Sequence, residues 1–145
     1  MKIFLAGAVS FAYESQIQKY EIFEKVLKKK FRKSEIITPK NICQFREAFK
    51  NEHKRTKEIV LNQKMVDFDL EHIKTSDLVV CDLSELSTGL GLELGVVLES
   101  KKNIIFFFEK GSYISNMIFG AFPNAKFVMY DNLTDLKTKL EETLN

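Results

Sequence analysis

The sequence contains no tryptophan, two cysteines, two prolines and six glycines in 145 residues. Two thiols cannot staple a small scaffold, so a disulfide framework is excluded, and Cys43 and Cys81 are expected to be reduced. So little Pro and Gly leaves no linker, repeat or low-complexity tract. No apolar run reaches the roughly 20 residues that a membrane-spanning helix needs. The opening "MKIFLAGAVSFA" imitates a signal peptide, but the rest of the chain needs it as a strand, and a cytoplasmic location is expected. The only histidines, His53 and His72, have no Cys or carboxylate at metal-ligand spacing, so no metal is expected.

The net charge of +2 conceals an asymmetry. Residues 19–64 hold fourteen Lys/Arg against six Asp/Glu, whereas residues 65–109 hold three Lys against nine acids. A basic half suits nucleic acid or anionic lipid, but no nucleic-acid signature accompanies it. The run Lys28, Lys29, Lys30, Arg32, Lys33 reads instead as a helix C-terminus and a solvated face. Neither a nucleic-acid polymer nor a membrane is expected as a partner.

Four nearly continuous apolar runs, at 2–7, 77–83, 103–109 and 126–131, read as strands of a parallel sheet covered on both faces, and 34–39 reads as a shorter fifth. Helical spacing places Ile17, Tyr20, Phe23, Leu27 and Phe31 on one stripe of 14–31, and Ile59, Met65, Val66, Leu70 and Ile73 on one stripe of 52–76. A last helix spans 133–144, and 40–52 reads as a loop. Residues 1–145 are therefore expected to form one α/β domain, a doubly wound, flavodoxin- or Rossmann-like five-stranded sheet that is mainly parallel. Ligands of such folds sit beyond the carboxyl ends of the strands, which directs attention to 7–14, 38–50, 83–93 and 109–117.

The third of these segments carries "STGLGLELG". Leu90, Leu94, Val97 and Leu98 form an apolar stripe with Glu93 on its edge. Gly89 and Gly91 predict a narrow entrance where a ligand approaches the backbone closely. The helix start favours an ionised carboxylate, and such a group, partly desolvated, suits attack on an electrophilic carbon. A glutamate that merely complements the dipole fits the spacing equally well. Asp69 shares a side of its helix with Ile73 and Ser76, which aims it at a pocket edge, though exposed Asp on a helix is common. The glycines form neither a Walker loop, which needs Lys-Ser/Thr, nor a dinucleotide fingerprint, which would follow the first strand. No cofactor is expected.

The stretch "DFDLEHIKTSDLVVCDLSELSTGLGLELG" and its continuation "ESKKNIIFFFEKGSYISNMIFGA", with "KIFLAG" as first strand, resemble the nucleoside 2-deoxyribosyltransferase-like superfamily over most of the chain apart from 40–60. The resemblance implies a homodimer or larger homo-oligomer with shared sites, and cleavage of an N-glycosidic bond to 2-deoxyribose in a deoxynucleotide or deoxynucleoside. It makes Glu93 a nucleophile that forms a covalent deoxyribosyl intermediate, and Asp69 the carboxyl group that works with the leaving base. Ser87, where the transferases carry an acid, points to the branch of 2′-deoxynucleoside 5′-monophosphate N-hydrolases. There a serine helps bind the 5′-phosphate. With Met117 as anchor, Ser115 falls where that branch offers a phosphate-binding serine from the neighbouring subunit. Gly7, Gly89 and Gly91 complete the implied substrate site. The chain departs from the branch at Phe4 (usually Tyr), at Ala8 and Ser10 (a phosphate-facing Ser and Arg), and at Phe119 (an Arg). Lys40 or the basic 40–57 segment is a candidate substitute for phosphate binding, and Phe11 or Tyr13 for stacking on a base.

Overall fold

The computed structural model describes residues 1–8, 14–38, 55–85 and 87–145, with backbone alone at 14–15 and 55–62. In chain order it contains β1 (Lys2–Ala6), α1 (Glu14–Lys30), β2 (Glu35–Ile37), α2 (Arg55–Thr75), β3 (Leu78–Asp82), α3 (Thr88–Glu99), β4 (Asn103–Glu109), α4 (Asn116–Ala121), β5 (Lys126–Tyr130) and α5 (Leu133–Thr143). The five strands lie in the order β2-β1-β3-β4-β5, every pair parallel. The α/β doubly wound reading therefore holds, with each expected strand in place. The loop expected at 40–52 lies outside the described residues.

Strand side chains alternate between two cores, which explains why the runs are apolar throughout rather than at every second position. Ile3, Leu5, Val80 and Phe107 point to one face and meet Phe23 and Leu27 of α1 and Leu136 and Leu140 of α5. Phe4, Ala6, Val79 and Cys81 point to the other, against Ile73 of α2 and Leu90, Leu94 and Val97 of α3. Each large apolar side chain so enclosed contributes about 1.5–3 kcal/mol. No helix among the described residues is long and apolar enough to cross a membrane.

Three helical stripes differ from those expected. Ile17 is 50% exposed, and the buried side of α1 carries Gln16 and Lys19 ahead of Phe23, Val26 and Leu27. Val66 of α2 and Leu98 of α3 are each 47% exposed. In all three cases spacing alone leaves a stripe's edge undetermined by one position, and polar partners at the sheet end set the rotation of α1.

α5 begins with an Asn132 cap whose Oδ1 accepts from the amides of Thr134 and Asp135, each at 3.0 Å. Asn132→Ala leaves both donors without that acceptor and is expected to cost about 1 kcal/mol. In a thermal melt followed by circular dichroism this corresponds to a loss of about 3 °C, while Asn132→Asp, which keeps the acceptor, changes Tm little.

Candidate active site

The chain runs from β1 outward to β2 and returns across β1 to β3, so the direction of winding reverses between β1 and β3. The crevice beyond their carboxyl ends is where open α/β sheets bind ligands. Gly7 and Ala8 follow β1 there, and Leu83, Ser84, Glu85 and Ser87 follow β3. Gly7 is fixed by packing within the chain: a Cβ at that position would overlap the Tyr20 hydroxyl. Expected as a substrate-binding position, it has this structural reason for being glycine.

α2 and α3 bring Asp69 and Glu93 together on the face of the sheet that holds Phe4 and Cys81. Glu93 is the sixth residue of α3, past the helix's open amides, so the dipole does not dominate its protonation as expected from the sequence. Its Oε2 is buried without a hydrogen-bond partner among the described residues, and Asp69 Oδ1 is also buried. Burial first, and the neighbouring Asp69 carboxylate second, push the Glu93 carboxyl up to about 8. Glu93 is thus held toward its protonated form at neutral pH, unlike the resting carboxylate expected from the sequence. Cys81 beneath the pair is fully enclosed, and burial, Asp82 and Glu93 push its thiol upward. Phe4 is buried too and offers Glu93 no hydroxyl.

Ser87 caps α3, its hydroxyl oxygen accepting from the Leu90 amide at 3.3 Å, which leaves its own proton available to a ligand. Gly89 and Gly91 are exposed. A Cβ at Gly89 would make ordinary contact with Ser87 Oγ at 3.6 Å, and one at Gly91 would meet nothing within 4 Å. The entrance is therefore open rather than narrow, because no other element of the described chain covers these glycines. Ser115 caps α4 by accepting from the Met117 amide at 3.3 Å, and Met117 itself is 81% exposed. The expectations for Ser10, Phe11, Tyr13, Lys40, Cys43 and His53 lie outside the described residues. Among the described residues no group of three or more His, Cys, Asp and Glu could hold a metal ion. His72 stacks on Phe68, with ring centroids 4.0 Å apart, and its Nδ1 lies 2.8 Å from the Phe68 carbonyl oxygen.

Sequence reasoning missed a polar network on the opposite face. Lys19 Nζ meets Asp82 Oδ2 at 2.7 Å, with only 6% and 2% of the side chains exposed. Asp82 Oδ1 accepts from the Ser84 hydroxyl at 2.6 Å and its amide at 3.2 Å. Because the single hydroxyl proton of Ser84 goes to Asp82, Tyr130, whose oxygen lies 2.9 Å from Ser84 Oγ, is the donor of that pair; the Glu109 amide donates to the same oxygen at 2.9 Å. Burial and the Asp82 charge push the Tyr130 hydroxyl upward. Gln16 adds a second link from α1 by donating to Glu85. The signal was present in the sequence: Asp82 ends an otherwise apolar strand, and Lys19 falls on the core side of α1.

With the geometry in place, comparison with known proteins gives the following. No family model matches the chain. Over 71 residues, 48% of the chain, it is 35% identical to a Tetraodon nigroviridis protein named 5-hydroxymethyl-dUMP N-hydrolase, and it spans about half (50%) of that curated relative's length. A Clostridium botulinum CMP N-glycosidase superimposes with a TM-score of 0.67 at 17% identity, over 97% of this chain and 99% of that one. The chain has the nucleoside 2-deoxyribosyltransferase-like fold. A 2-deoxyribosyltransferase from Bacillus psychrosaccharolyticus gives a TM-score of 0.63 at 23% identity, over 99% and 96% of the two chains. The chain thus shares its fold with these neighbours, and a sequence segment with the N-hydrolase.

The Glu93 shift has a stability consequence of definite sign. Its carboxyl is raised from 4.5 to about 8, so between those values the folded state holds a proton that the unfolded chain gives up. Stability from this group is present at low pH and lost as pH rises through that window. Glu93→Gln, which never ionises, is expected to melt about 3–6 °C above the parent at pH 8.5. The gap should close toward pH 4.5 in paired thermal melts. Equal melting temperatures at both pH values would mean that Glu93 is not destabilised by its surroundings.

Proposed function

We infer that the chain is an N-glycosidase that hydrolyses 2′-deoxynucleoside 5′-monophosphates, releasing free base and deoxyribose 5-phosphate. The observation that carries this reading is the buried Glu93 carboxyl beside Asp69, packed over Cys81 near the carboxyl end of β3. Two carboxyl groups at one anomeric carbon can divide the work of a retaining glycosidase. Glu93, as carboxylate, bonds to C1′ while the C1′–N bond breaks, and Asp69 supplies a proton to the departing base. Water then cleaves the glutamyl ester at C1′, returning a proton to Asp69 and freeing Glu93. The pair needs one proton between them for the first step, and burial of Glu93 beside a carboxylate keeps that proton in the site at neutral pH.

Ser87 supports the monophosphate as substrate, since its hydroxyl and the open amides of α3 are neutral donors suited to an anion. The second reading, base exchange between free deoxynucleosides, draws on Ala8 and Phe119, which stand where a phosphate-facing serine and an arginine are expected. It also draws on Lys19, which is committed to Asp82. A catalytically silent nucleotide-binding module is the remaining alternative. A homodimer or larger homo-oligomer belongs to the same reading: Tyr113, Met117 and Phe119 are 73%, 81% and 42% exposed along one short segment, an apolar surface suited to a second copy.

The experiment is base release from deoxynucleoside monophosphates and from the corresponding nucleosides, without an acceptor base. Glu93→Ala should lose at least about a thousandfold in turnover. For the parent, kcat/KM should hold level through neutral pH and fall about tenfold per unit above pH 8, as the pair loses its proton. In Asp69→Asn the sign reverses, the residual rate rising with pH as Glu93 alone ionises. A parent profile that rises through pH 8 would contradict the shared proton. Ser87→Ala should lower kcat/KM about ten- to a hundredfold for monophosphates and leave nucleosides nearly unchanged. Equal losses on both would move base exchange ahead.

A further inference from the structure

The amino end of the sheet, where β3, β4 and β5 begin, holds a second cleft of about 530 Å³, a volume typical of small-molecule sites. A five-residue parallel strand puts roughly 15 Å between its two ends, so this cleft is separate from the crevice near Glu93. Leu98, Ala121 and Phe122 give it an apolar wall, and Asn103 and Asn124 also line it. Leu98, 47% exposed, lies on this cleft rather than in the core. Lys101, Lys102 and Lys126 line it too, and no acidic residue does among the described residues. Elsewhere lysines are engaged: Lys19 by Asp82, Lys28 by Glu24, Lys29 by Glu141 and Lys110 by Asp131. The three of the cleft form no ion pair among the described residues. Their placement runs against local composition, since residues 65–109 hold only three Lys against nine acids, and two of the three are Lys101 and Lys102.

Lys101 is the one described non-glycine residue with a positive φ, 51°. It follows the Ser100 cap of α3, and the Lys101 and Lys102 amides donate to the Leu98 and Val97 carbonyls at 3.2 and 3.1 Å. That closure usually takes glycine, because a side chain in the left-handed region is strained. A lysine that served only the helix dipole could stand in the last turn without the strain. Lys126, at the start of β5, ends no helix at all. The Val97 and Leu98 carbonyls, which would repel an anion here, are the ones these two amides cover. We propose that the cleft is a second binding site, taking a nucleoside monophosphate by its phosphate on Lys101, Lys102 and Lys126 and by its base against Leu98 and Phe122. Three unpaired cations beside an apolar wall suit an anion with a flat apolar body. The side-chain amides of Asn103 and Asn124 each offer a donor and an acceptor to the edge of a base. The ligand is held and not cleaved, since no carboxyl group lines the cleft. The site stands whether or not the chain is a hydrolase.

The test follows the backbone amide resonances of isotope-labelled protein during titration with AMP, with adenosine and with inorganic phosphate. AMP should move the amides of 98–105 and 121–126 saturably, with an affinity that weakens as KCl is added. Adenosine and phosphate, each lacking one half of the ligand, should bind there at least about tenfold more weakly. Lys101→Gly relieves the backbone strain and should raise Tm by about 3 °C, yet weaken AMP at least about fivefold. Lys126→Ala, away from the helix end, should weaken AMP to a similar degree with Tm nearly unchanged. AMP in the crevice near Glu93 moves the amides of 87–93 and is indifferent to both variants, so the two sites are read apart. AMP shifts confined to 87–93 would overturn the proposal. So would phosphate alone binding the cleft as tightly as AMP, or both lysine variants binding AMP as the parent does.

Discussion

A sheet covered on both faces leaves charged groups no place but its ends, and this chain brings the buried carboxyl groups of Asp82, Asp69 and Glu93 to one of them. The surroundings treat them differently. Asp82 faces α1 and is neutralised by Lys19, with Ser84 filling its remaining oxygen. Glu93 faces the other core, and the group beside it is a second carboxyl, so the charged form is penalised twice, by burial and by Asp69. One face of β3 thus carries a carboxylate fully paid in hydrogen bonds and the other a carboxyl that keeps its proton. Cys81 and Asp82, adjacent on the strand, mark the boundary between the two environments.

This difference explains how stability and chemistry are separated in the fold. Breaking a buried pair such as Lys19–Asp82 by removing one partner costs roughly 3–5 kcal/mol, because the other charge stays behind unpaired. At Glu93 the balance runs the other way: at alkaline pH the folded state bears the cost of a desolvated negative charge. Groups whose protonation is strongly perturbed inside a crevice are candidates to act on a substrate. A sugar carbon that develops positive charge as its bond to the base breaks would relieve that penalty, since it offers the carboxylate the counter-charge that the protein withholds. The proposed nucleophile is then destabilised in the free protein by the same two causes that would favour its attack.

Much of this could be read from the sequence, and what could not has a common cause. The strands were legible because both faces of a parallel sheet are apolar, which leaves long runs such as "NIIFFFE" unmistakable. The approximate place of Glu93 was legible from its position at the edge of Leu90, Leu94 and Val97. The stripe on α1 was misjudged by one position. Ile17 looks like a core residue, and Lys19 does not until its partner at the end of β3 is known. The protonation of Glu93 was out of reach for the same reason, because it depends first on burial between elements and then on Asp69, twenty-four positions away on another helix. Periodicity reports what an element buries, whereas pairing between elements decides which polar groups can be buried with it.

The same pairing bears on how an anion could be recognised at this crevice. A phosphate is commonly met by arginine or lysine, but Phe119 occupies one position where the superfamily resemblance implies an arginine, and Lys19 is spent on Asp82. The donors that remain at the start of α3 are neutral. Helix geometry leaves the first-turn amides without intrahelical partners, and Leu90 donates its own to Ser87 Oγ. The Ser87 hydroxyl adds its proton to them, and the bare surfaces of Gly89 and Gly91 let an anion come close. Glu85, whose charge would repel such a ligand, is drawn toward Gln16 on α1. Recognition by fixed dipoles demands accurate placement where a flexible cation would tolerate error, because a hydrogen bond weakens steeply with misalignment. At the end of β3, Ser84 is tied from three elements, by Asp82 of β3, the Glu109 amide of β4 and Tyr130 of β5, the kind of fixed support that recognition by dipoles requires.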